Sequence, residues 1–261
     1  MKTIKTARRT LLTFIIATAT GSSVASDAIG PGDSDSRWVL GASAVSFNNI
    51  YEGEGSEGFI FPNARYNGDR VFIQHGSINL SLGQVDNFSG GLTIRGDGGY
   101  LGDSSDYRDN KKLAGLEERK HTLEGGFYLN HTTDLGRLNF IFMDDLGGKH
   151  HGQSAAASYT FDLKAGDWNI NPTVGAEWIS ADKVNHYYGV SAAESTATRA
   201  IYKGDSATNL FASIRGRYEF TEHWDVELST GVRYLSSTIS DSSIVDADYV
   251  YYSSAAVNYN F

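Results

Sequence analysis

The chain has no cysteine and only three prolines in 261 residues. Without cysteine there are no disulfides and no metal sites built on thiolate ligands, and a lipid anchor on a cysteine is not expected. No part of the sequence has 18 consecutive apolar residues, which argues against a helical membrane protein. Cations are also scarce. The formal charge of −9 argues against a nucleic-acid partner, which would require a basic face.

The first residues have the pattern of a secretory signal peptide. Four basic residues precede a short apolar stretch at 11–19, and small residues follow at 23–26. The apolar stretch is too short to span a bilayer. We therefore expect a cleaved signal peptide at 1–25 and a polar, disordered periplasmic stub at 26–37.

Alternation with the period of a β-strand fills the rest of the chain. Trp168, Val174 and Trp178 share one face of a predicted strand, whereas Thr173 and Glu177 share the other. The two tryptophans are ten residues apart, which matches a membrane core crossed by a tilted strand that rises about 3.3 Å per residue. Many positions on the apolar faces are Ala or Gly, a composition that suits contact with lipid better than a close-packed protein core.

Aromatic residues recur at both ends of these apolar faces. The chain itself ends on Phe261, with Tyr259 two residues earlier on the same face. Such rings predict aromatic girdles at the two membrane interfaces. The predicted aromatic girdle consists of Trp168, Trp178, Tyr218, Trp224, Tyr234, Tyr259 and Phe261.

These patterns predict an all-β fold, a transmembrane antiparallel up-and-down β-barrel at 38–261, with a soluble β-sandwich as the alternative. Short connections at 164–167 and 220–223 alternate with long loops at 98–119 and 180–206, and we place the short turns in the periplasm. We expect about 12 strands, or 10 if the region 69–84 does not hold two. The predicted strands are 37–47, 57–66, 69–75, 77–84, 87–97, 120–130, 136–145, 153–163, 167–179, 207–220, 224–236 and 248–261.

Charged residues on the second face are candidates for lining the lumen. They are Arg95, Glu124, Glu177, Arg215, Arg217, Glu219, Glu227 and Arg233. Such residues could line a selective pore, or they could pair with one another and close it. A barrel of ten to twelve strands holds interior side chains and little more, which favours a narrow or plugged interior.

One polar segment has the composition of an active site. Asp144 and Asp145 end a predicted strand, and His150 and His151 follow within a few residues. Carboxylates and a histidine at a barrel rim could activate water or hold a cation. Adjacent strand residues face opposite ways, so at most one of each pair points inward. We therefore interpret this segment as a polar hairpin loop, and predict no catalytic, cofactor or metal residues.

Several stretches resemble the MipA/OmpV family of outer-membrane proteins. The likeness covers about 38–261 and rests on segments such as WVLGASAVSFNNIYEGEG, FPNARYNGDRVFI and DSSIVDADY, most specifically on Tyr187 to Ser195 and on His223 and Trp224. It implies a barrel in the Gram-negative outer membrane without catalytic residues. It also implies a scaffold that links a lytic murein transglycosylase to a penicillin-binding protein, a role attached to one branch of the family.

Three functions remain open at this point. The first is a non-enzymatic scaffold for murein enzymes, or a factor for envelope integrity. The second is a small-solute channel. The third is an adhesin that uses the long outer loops, in which Tyr100, Tyr107, Tyr187 and Tyr188 offer contact area. All three include outer-membrane lipid as a partner.

Overall fold

The computed structural model describes Ile29, residues 37–97 and residues 110–261. The predicted signal peptide and most of the predicted stub lie outside the described residues. The described elements are, in chain order, β1 (Trp38–Asn48), β2 (Ser56–Asn67), β3 (Val71–Gln74), β4 (Ser77–Val85), β5 (Phe88–Asp97), β6 (Thr122–Thr133), β7 (Gly136–Asp145), β8 (Gln153–Phe161), β9 (Leu163–Ala165), β10 (Trp168–Ile179), α1 (Ala181–Tyr188), β11 (Ala207–Glu219), β12 (Trp224–Tyr234), α2 (Ser237–Ser240) and β13 (Tyr249–Asn260).

The strands form one antiparallel sheet that closes on itself. Strands adjacent in the chain pair with one another, and β13 pairs with β1 in a register that sets Leu40 opposite Tyr259. β8 and β9 both pair with β10 and are separated only by Asp162, so they act as one interrupted strand. The barrel therefore has the predicted twelve strands. The alternative of ten is wrong, because β3 and β4 form a separate hairpin.

The distribution of polar and apolar side chains is the reverse of that in a soluble protein. On β10, Val174 is 49% exposed, whereas Thr173 beside it is 1% exposed. The same alternation runs through the other long strands. Exposed apolar residues include Leu92, Ile214, Leu228 and Val257, and buried polar residues include Asn79, Thr93, Asn139, Ser158 and Asn258. An apolar exterior around a polar interior is the arrangement of a barrel that crosses a membrane.

The two ends of the barrel differ in their connections. One end has only short turns, at 68–70, 86–87, 134–135, 166–167 and 220–223, and we call it the short-turn end. The opposite end, the loop end, has longer connections except for the hairpin turn at His75 and Gly76. Both residues of that turn have positive φ (46° and 72°), as a two-residue hairpin requires. No helix in the described ranges is long and apolar enough to cross a membrane.

A small globular cap covers the loop end. Loops 49–55, 110–121, 180–206 and 235–248 contribute to one apolar core, whose fully buried side chains include Ile50, Tyr51, Leu113, Val184, Ile239 and Ile244. Hydrogen bonds join these loops. Tyr51 Oη donates to the carbonyl of Tyr187 (3.0 Å), and Ser242 Oγ donates to the carbonyl of Tyr188 (2.6 Å). The cap is thus a packed unit rather than a set of separate loops.

Candidate functional site

α1 enters the cap directly from the end of β10. Ser180 is its N-cap, and the Ser180 Oγ accepts hydrogen bonds from the backbone N–H groups of Lys183 (3.5 Å) and Gln153 (2.9 Å). These bonds fix the first helical turn against the start of β8. Lys183 and Tyr187 are four residues apart, so both lie on one face of α1, and both are buried.

Lys183 and Tyr187 meet two carboxylates of the barrel wall. Lys183 Nζ lies 2.6 Å from Glu124 Oε1 on β6 and 3.1 Å from Asp97 Oδ2 at the end of β5. Tyr187 Oη donates to Asp97 Oδ2 (2.9 Å), and Arg95 Nη2 donates to Glu124 Oε2 (3.2 Å). The two buried carboxylates therefore lie beside the cations of Lys183 and Arg95. We call Arg95, Asp97, Glu124, His150, Lys183 and Tyr187 the ion cluster.

His150 completes the ion cluster from the loop at 146–152. Its imidazole is fully buried. When the ring is neutral, Nδ1 accepts the backbone N–H of Gly152 (2.9 Å) and Nε2 carries the proton. Nε2 lies 3.5 Å from Glu124 Oε1 and 3.6 Å from Asp97 Oδ2, and within the described part of the chain it makes no hydrogen bond. This nitrogen therefore faces both carboxylates at a distance too long for a hydrogen bond.

Asp145 holds this loop in place. Its Oδ2 accepts the backbone N–H groups of His150 (2.7 Å) and His151 (2.8 Å), and its Oδ1 accepts that of Gly147 (3.0 Å) and the hydroxyl of Thr122. His150 is consequently buried, whereas His151 and Asp144 are exposed. The interpretation of 144–151 as a plain polar loop is incomplete, because Asp145 and His150 belong to a buried network.

Asp97, Glu124 and His150 have the composition of a metal site. One donor atom from each lies within 4.8 Å of the others. The separations of 3.5 and 3.6 Å are near the edge of about 3.4 Å that tetrahedral zinc requires with bonds of about 2.1 Å. However, the Lys183 ammonium already lies on the same two carboxylate oxygens. A divalent cation beside it would be strongly repelled. These residues therefore do not fit a resident metal while Lys183 is charged.

Burial and the neighbouring carboxylates both shift the pKa values of His150, Lys183 and Tyr187. Burial by itself lowers the pKa of His150, but the carboxylates of Asp97 and Glu124 outweigh it and raise this pKa to about 9. Burial also lowers the pKa of Lys183, and the same two carboxylates raise it above its ordinary value. For Tyr187, burial and the charge of Asp97 both raise the pKa. Lys183 is therefore charged and Tyr187 neutral at neutral pH.

The residues predicted to line the lumen lie on the inner side of the wall, several of them in ion pairs. Arg95 and Glu124 belong to the ion cluster, and Arg233 pairs with Glu177 below the cap. Arg215 Nη2 donates to Asn171 Oδ1 (3.4 Å). In these contacts, charged side chains bind other side chains of the protein, whereas an open pore would present them to solutes.

Nearer the short-turn end, the predicted residues find partners that the prediction left out. Arg217 Nη2 lies 3.1 Å from Asp225 Oδ2, and Asp225 is fully buried. Glu227 Oε2 lies 3.6 Å from Arg65 Nη1. Glu219 lies 3.3 Å from Arg217, but its side chain is 56% exposed, because it is the last residue of β11 and reaches the rim.

The predicted girdle residues lie at both ends of the barrel. At the short-turn end the ring centroids of Trp168 and Tyr218 are 5.3 Å apart, and Tyr259 contacts both Trp224 (5.1 Å) and Phe261 (4.8 Å). At the loop end Trp178 and Tyr234 are exposed on the outer face. That these rings form membrane girdles stays a prediction.

The motif from Tyr187 to Ser195 builds the cap. Tyr187 and Tyr188 are buried in its core, so the expectation that they offer a contact surface to an outside partner is wrong. Glu194 accepts the backbone N–H groups of Ser191 and Glu117 and lies 2.9 Å from Arg119 Nη2. Tyr100 and Tyr107 lie outside the described residues.

Sequence reasoning missed Asp97 and Lys183. Lys183 lies in a stretch interpreted as a loop, where a lysine is expected to be solvated. One signal was present: Ser180 followed by Asp182 is the start of a helix, with an N-cap and an acidic first turn. A helix there places Lys183 and Tyr187 on one face, but it does not identify Glu124, 59 residues away, as the partner.

Comparison with known proteins finds relatives that cover most of this chain. Outer membrane protein Omp26La of Vibrio anguillarum is 24% identical over 87% of this chain and 88% of its own. MltA-interacting protein of Escherichia coli K12 is 24% identical over 89% of this chain and 93% of its own. A crystal structure of a Pseudomonas aeruginosa FadL homologue aligns over 87% of this chain and 91% of its own, with a TM-score of 0.40 and 10% identity.

The family assignment rests on the barrel as a whole. The family model described as MltA-interacting protein MipA matches residues 40–261, from β1 to the last residue. The match covers β2 to β13, all of β1 after Val39, and the cap. This chain therefore belongs to the MipA family and is a β-barrel of the outer membrane.

Proposed function

We propose that this protein is a non-enzymatic scaffold of the outer membrane that holds murein-processing enzymes at its short-turn end. The partners we propose are a lytic transglycosylase and a penicillin-binding protein, with outer-membrane lipid around the barrel wall. The family description and the name of the Escherichia coli relative support the transglycosylase. We assign the short-turn end to the periplasm, where such enzymes act, and the cap to the outside.

The observation that carries this proposal is the packed cap. Its apolar core and its salt-bridged underside cover the loop end of the barrel. A covered loop end argues against a through-channel, because a solute would have to displace Lys183 from Glu124 and Asp97. It leaves the short-turn end as the face available to a periplasmic partner.

The turns of the short-turn end form the proposed docking surface. Each of its five turns has an exposed carboxylate, and these are Asp69, Asp86, Asp134, Asp167 and Glu222. Exposed apolar side chains, Leu135 and Phe220, lie among them. A stable interface needs roughly 800 Å² on each partner, with apolar contacts at its centre and charge at its rim. Arg70 and Lys164 are also exposed at this end, and we infer that the partner presents basic groups where it meets the five carboxylates.

The buried ion cluster supports a role without catalysis. His150 and the carboxylates beside it are the groups that most resemble an active site, but all three are buried. A general base must come within hydrogen-bond reach of its substrate. In this fold the cap stands between these groups and any substrate, so their role is to hold the cap.

A retention experiment tests the proposal. The purified barrel in detergent is passed over an immobilised lytic transglycosylase, with an unrelated outer-membrane barrel as reference. We expect retention above the reference, and at least a tenfold loss for the variant Asp69→Lys/Asp86→Lys/Asp134→Lys. The matched control reverses three exposed carboxylates at the loop end, Asp144→Lys/Asp205→Lys/Asp246→Lys, and should be retained like the wild type. No retention of the wild type above the reference would refute the proposal.

A further inference from the structure

One side of β2 is largely unpaired. On one side β2 pairs with β1 along nearly its whole length, from Ser56 to Tyr66. On the other side it pairs with β3 only at Tyr66 and Asn67, because β3 is four residues long and ends at Gln74. The wall therefore has an open edge along residues 58–64, and we call this segment the open edge.

The ladder identifies the backbone groups that point to the open edge. The backbone N–H of Asn67 donates to the carbonyl of Arg37, on the β1 side (2.8 Å). Bonding direction alternates along an antiparallel strand, so the even-numbered residues at 58–64 direct their backbone groups away from β1. No described residue forms a hydrogen bond with these groups. Membrane barrels are closed because such groups are unfavourable in lipid, so an open edge marks a specialised part of the wall.

The open edge lies at the level of the bilayer. Tyr66 packs against Trp38 at the short-turn end, with ring centroids 4.8 Å apart. Ile60 precedes Tyr66 by six residues on the same outward face and is 79% exposed. At about 3.3 Å per residue and a tilt near 40°, six residues rise about 15 Å, which is half of a hydrocarbon core of roughly 30 Å.

Pro62 lies within the open edge and limits what can occupy it. Proline has no N–H, and in sheets it is found on edges, where it hinders the addition of a further strand. Pro62 is one of the residues whose backbone points to the open edge, so a pairing strand would lack one of the main-chain hydrogen bonds that give such binding its affinity. The open edge therefore suits a small molecule better than a strand of another chain.

The inner side of the open edge is amphipathic. Phe59 and Phe61 face inward and are half-buried, with ring centroids 5.6 Å apart. Asn63 follows on the same face, and its Nδ2 donates to Ser43 Oγ (2.6 Å). The Asn63 Oδ1 is buried and has no hydrogen-bond partner. Two aromatic rings and a free acceptor thus adjoin the open edge from inside.

We propose that the open edge is a lateral opening, through which a small amphipathic molecule enters the barrel interior from the bilayer. The apolar body of this molecule packs on Phe59 and Phe61, and its head group donates a hydrogen bond to Asn63 Oδ1. This inference goes beyond the scaffold function, because docking on the short turns neither requires a lateral opening nor predicts one.

Cysteine labelling from the bilayer tests the opening, and the absence of native cysteine leaves one thiol in each variant. Phe61→Cys places this thiol inward beside the open edge. Ser229→Cys is the matched control, because Ser229 is also inward and half-buried but lies on β12. Both full-length mature variants are placed in phospholipid vesicles that contain N-dodecylmaleimide. We expect Phe61→Cys to react at least tenfold faster, and equal rates in two folded barrels would overturn the proposal.

Competition tests whether an amphipathic molecule binds inside the opening. 1-Dodecanol has an apolar chain and a hydroxyl donor. We expect it to slow the labelling of Phe61→Cys at least fivefold and in a saturable way, and to leave Ile60→Cys, on the outward face, unaffected. In Phe61→Cys/Asn63→Leu the protection should fall, because the acceptor is lost. An absence of slowing, or equal slowing at the inward and outward thiols, would contradict binding at this site.

A third variant tests the alternative that a second copy covers the open edge. Ala64→Cys places a thiol on the open edge itself. We expect this variant to remain monomeric after mild oxidation in vesicles, as measured on non-reducing gels. Efficient formation of a disulfide-linked dimer would show that two copies meet at this edge and would overturn the lateral opening.

Discussion

The ammonium of Lys183 lies 2.6 Å from Glu124 Oε1, although the two residues are 59 positions apart and belong to the cap and the wall respectively. Both side chains are buried. A buried ion pair of this kind ties the position of α1 to that of β6. Removal of either partner should destabilise the fold, because the remaining buried charge is then left without compensation.

Replacement of Lys183 by methionine should loosen the cap. We expect a loss of about 3–5 kcal/mol in the free energy of unfolding, because Asp97 and Glu124 lose their nearest cation. The double variant Lys183→Met/Glu124→Gln should lose less than the sum of the two single changes. Urea unfolding in detergent, followed by tryptophan fluorescence, gives these energies. Lys203→Met removes an exposed lysine of the same cap and should behave as the wild type.

Removal of the Lys183 side chain should also uncover a metal site. In Lys183→Ala, Asp97, Glu124 and His150 retain three donor atoms within 4.8 Å of one another, and no ammonium competes. We expect this variant to bind Co²⁺ with the intense visible absorption of a tetrahedral complex, which EDTA reverses. The wild type should show no such band. Lys183→Ala/His150→Ala is the control, and a band that survives in it would place the ion elsewhere.

Cap stability should fall as pH rises from 6.5 to above 9. The pKa of His150 is raised in the folded state to about 9, so its contribution is complete below the unfolded pKa near 6.5 and is lost as pH passes through 9. The charged or titratable groups around it are Asp97, Glu124, Asp145, Lys183, His186 and Tyr187, and Arg95 pairs with Glu124. The pKa of Lys183 is raised, so Lys183 stays charged in this window, and the pKa of His186 is lowered, so His186 titrates below it.

Limited proteolysis of the cap across this pH range measures the effect. The wild type should become more sensitive with rising pH, after correction for the protease's own pH dependence on an unfolded substrate. His150→Gln should show a flat profile. His151→Gln alters the exposed neighbour and should keep the dependence of the wild type. A flat profile in the wild type would mean that His150 does not titrate in this range.

The strands could be predicted because each one is a local pattern. β10 was expected at 167–179 and extends from Trp168 to Ile179, since alternation of Val174 with Thr173 needs no knowledge of distant residues. The twelve-strand count followed from the same signal. Short turns and long loops also alternate by local composition alone.

The ion cluster could not be predicted in the same way. It joins residues of β5, β6, the loop at 146–152 and α1, which only the closure of the barrel brings together. Spacing along the chain contains no information about such a contact. The inward apolar cluster of Phe72, Tyr128, Ile141 and Met143 is similar, because its members come from three strands, β3, β6 and β7.

The last prediction concerns the contact of the outer wall with lipid. Val174 is exposed in the middle of β10, opposite Ala212 on one neighbouring strand and Tyr159 on the other. An arginine on the lipid face costs about 2–4 kcal/mol near the bilayer midplane. Val174→Arg should therefore lose that much stability in phospholipid vesicles. Ile201→Arg changes an exposed apolar residue of the loop at 180–206, outside the strands of the barrel wall, and should lose almost nothing. Urea unfolding in vesicles measures both variants, and equal losses at the two positions would contradict an outer wall buried in lipid.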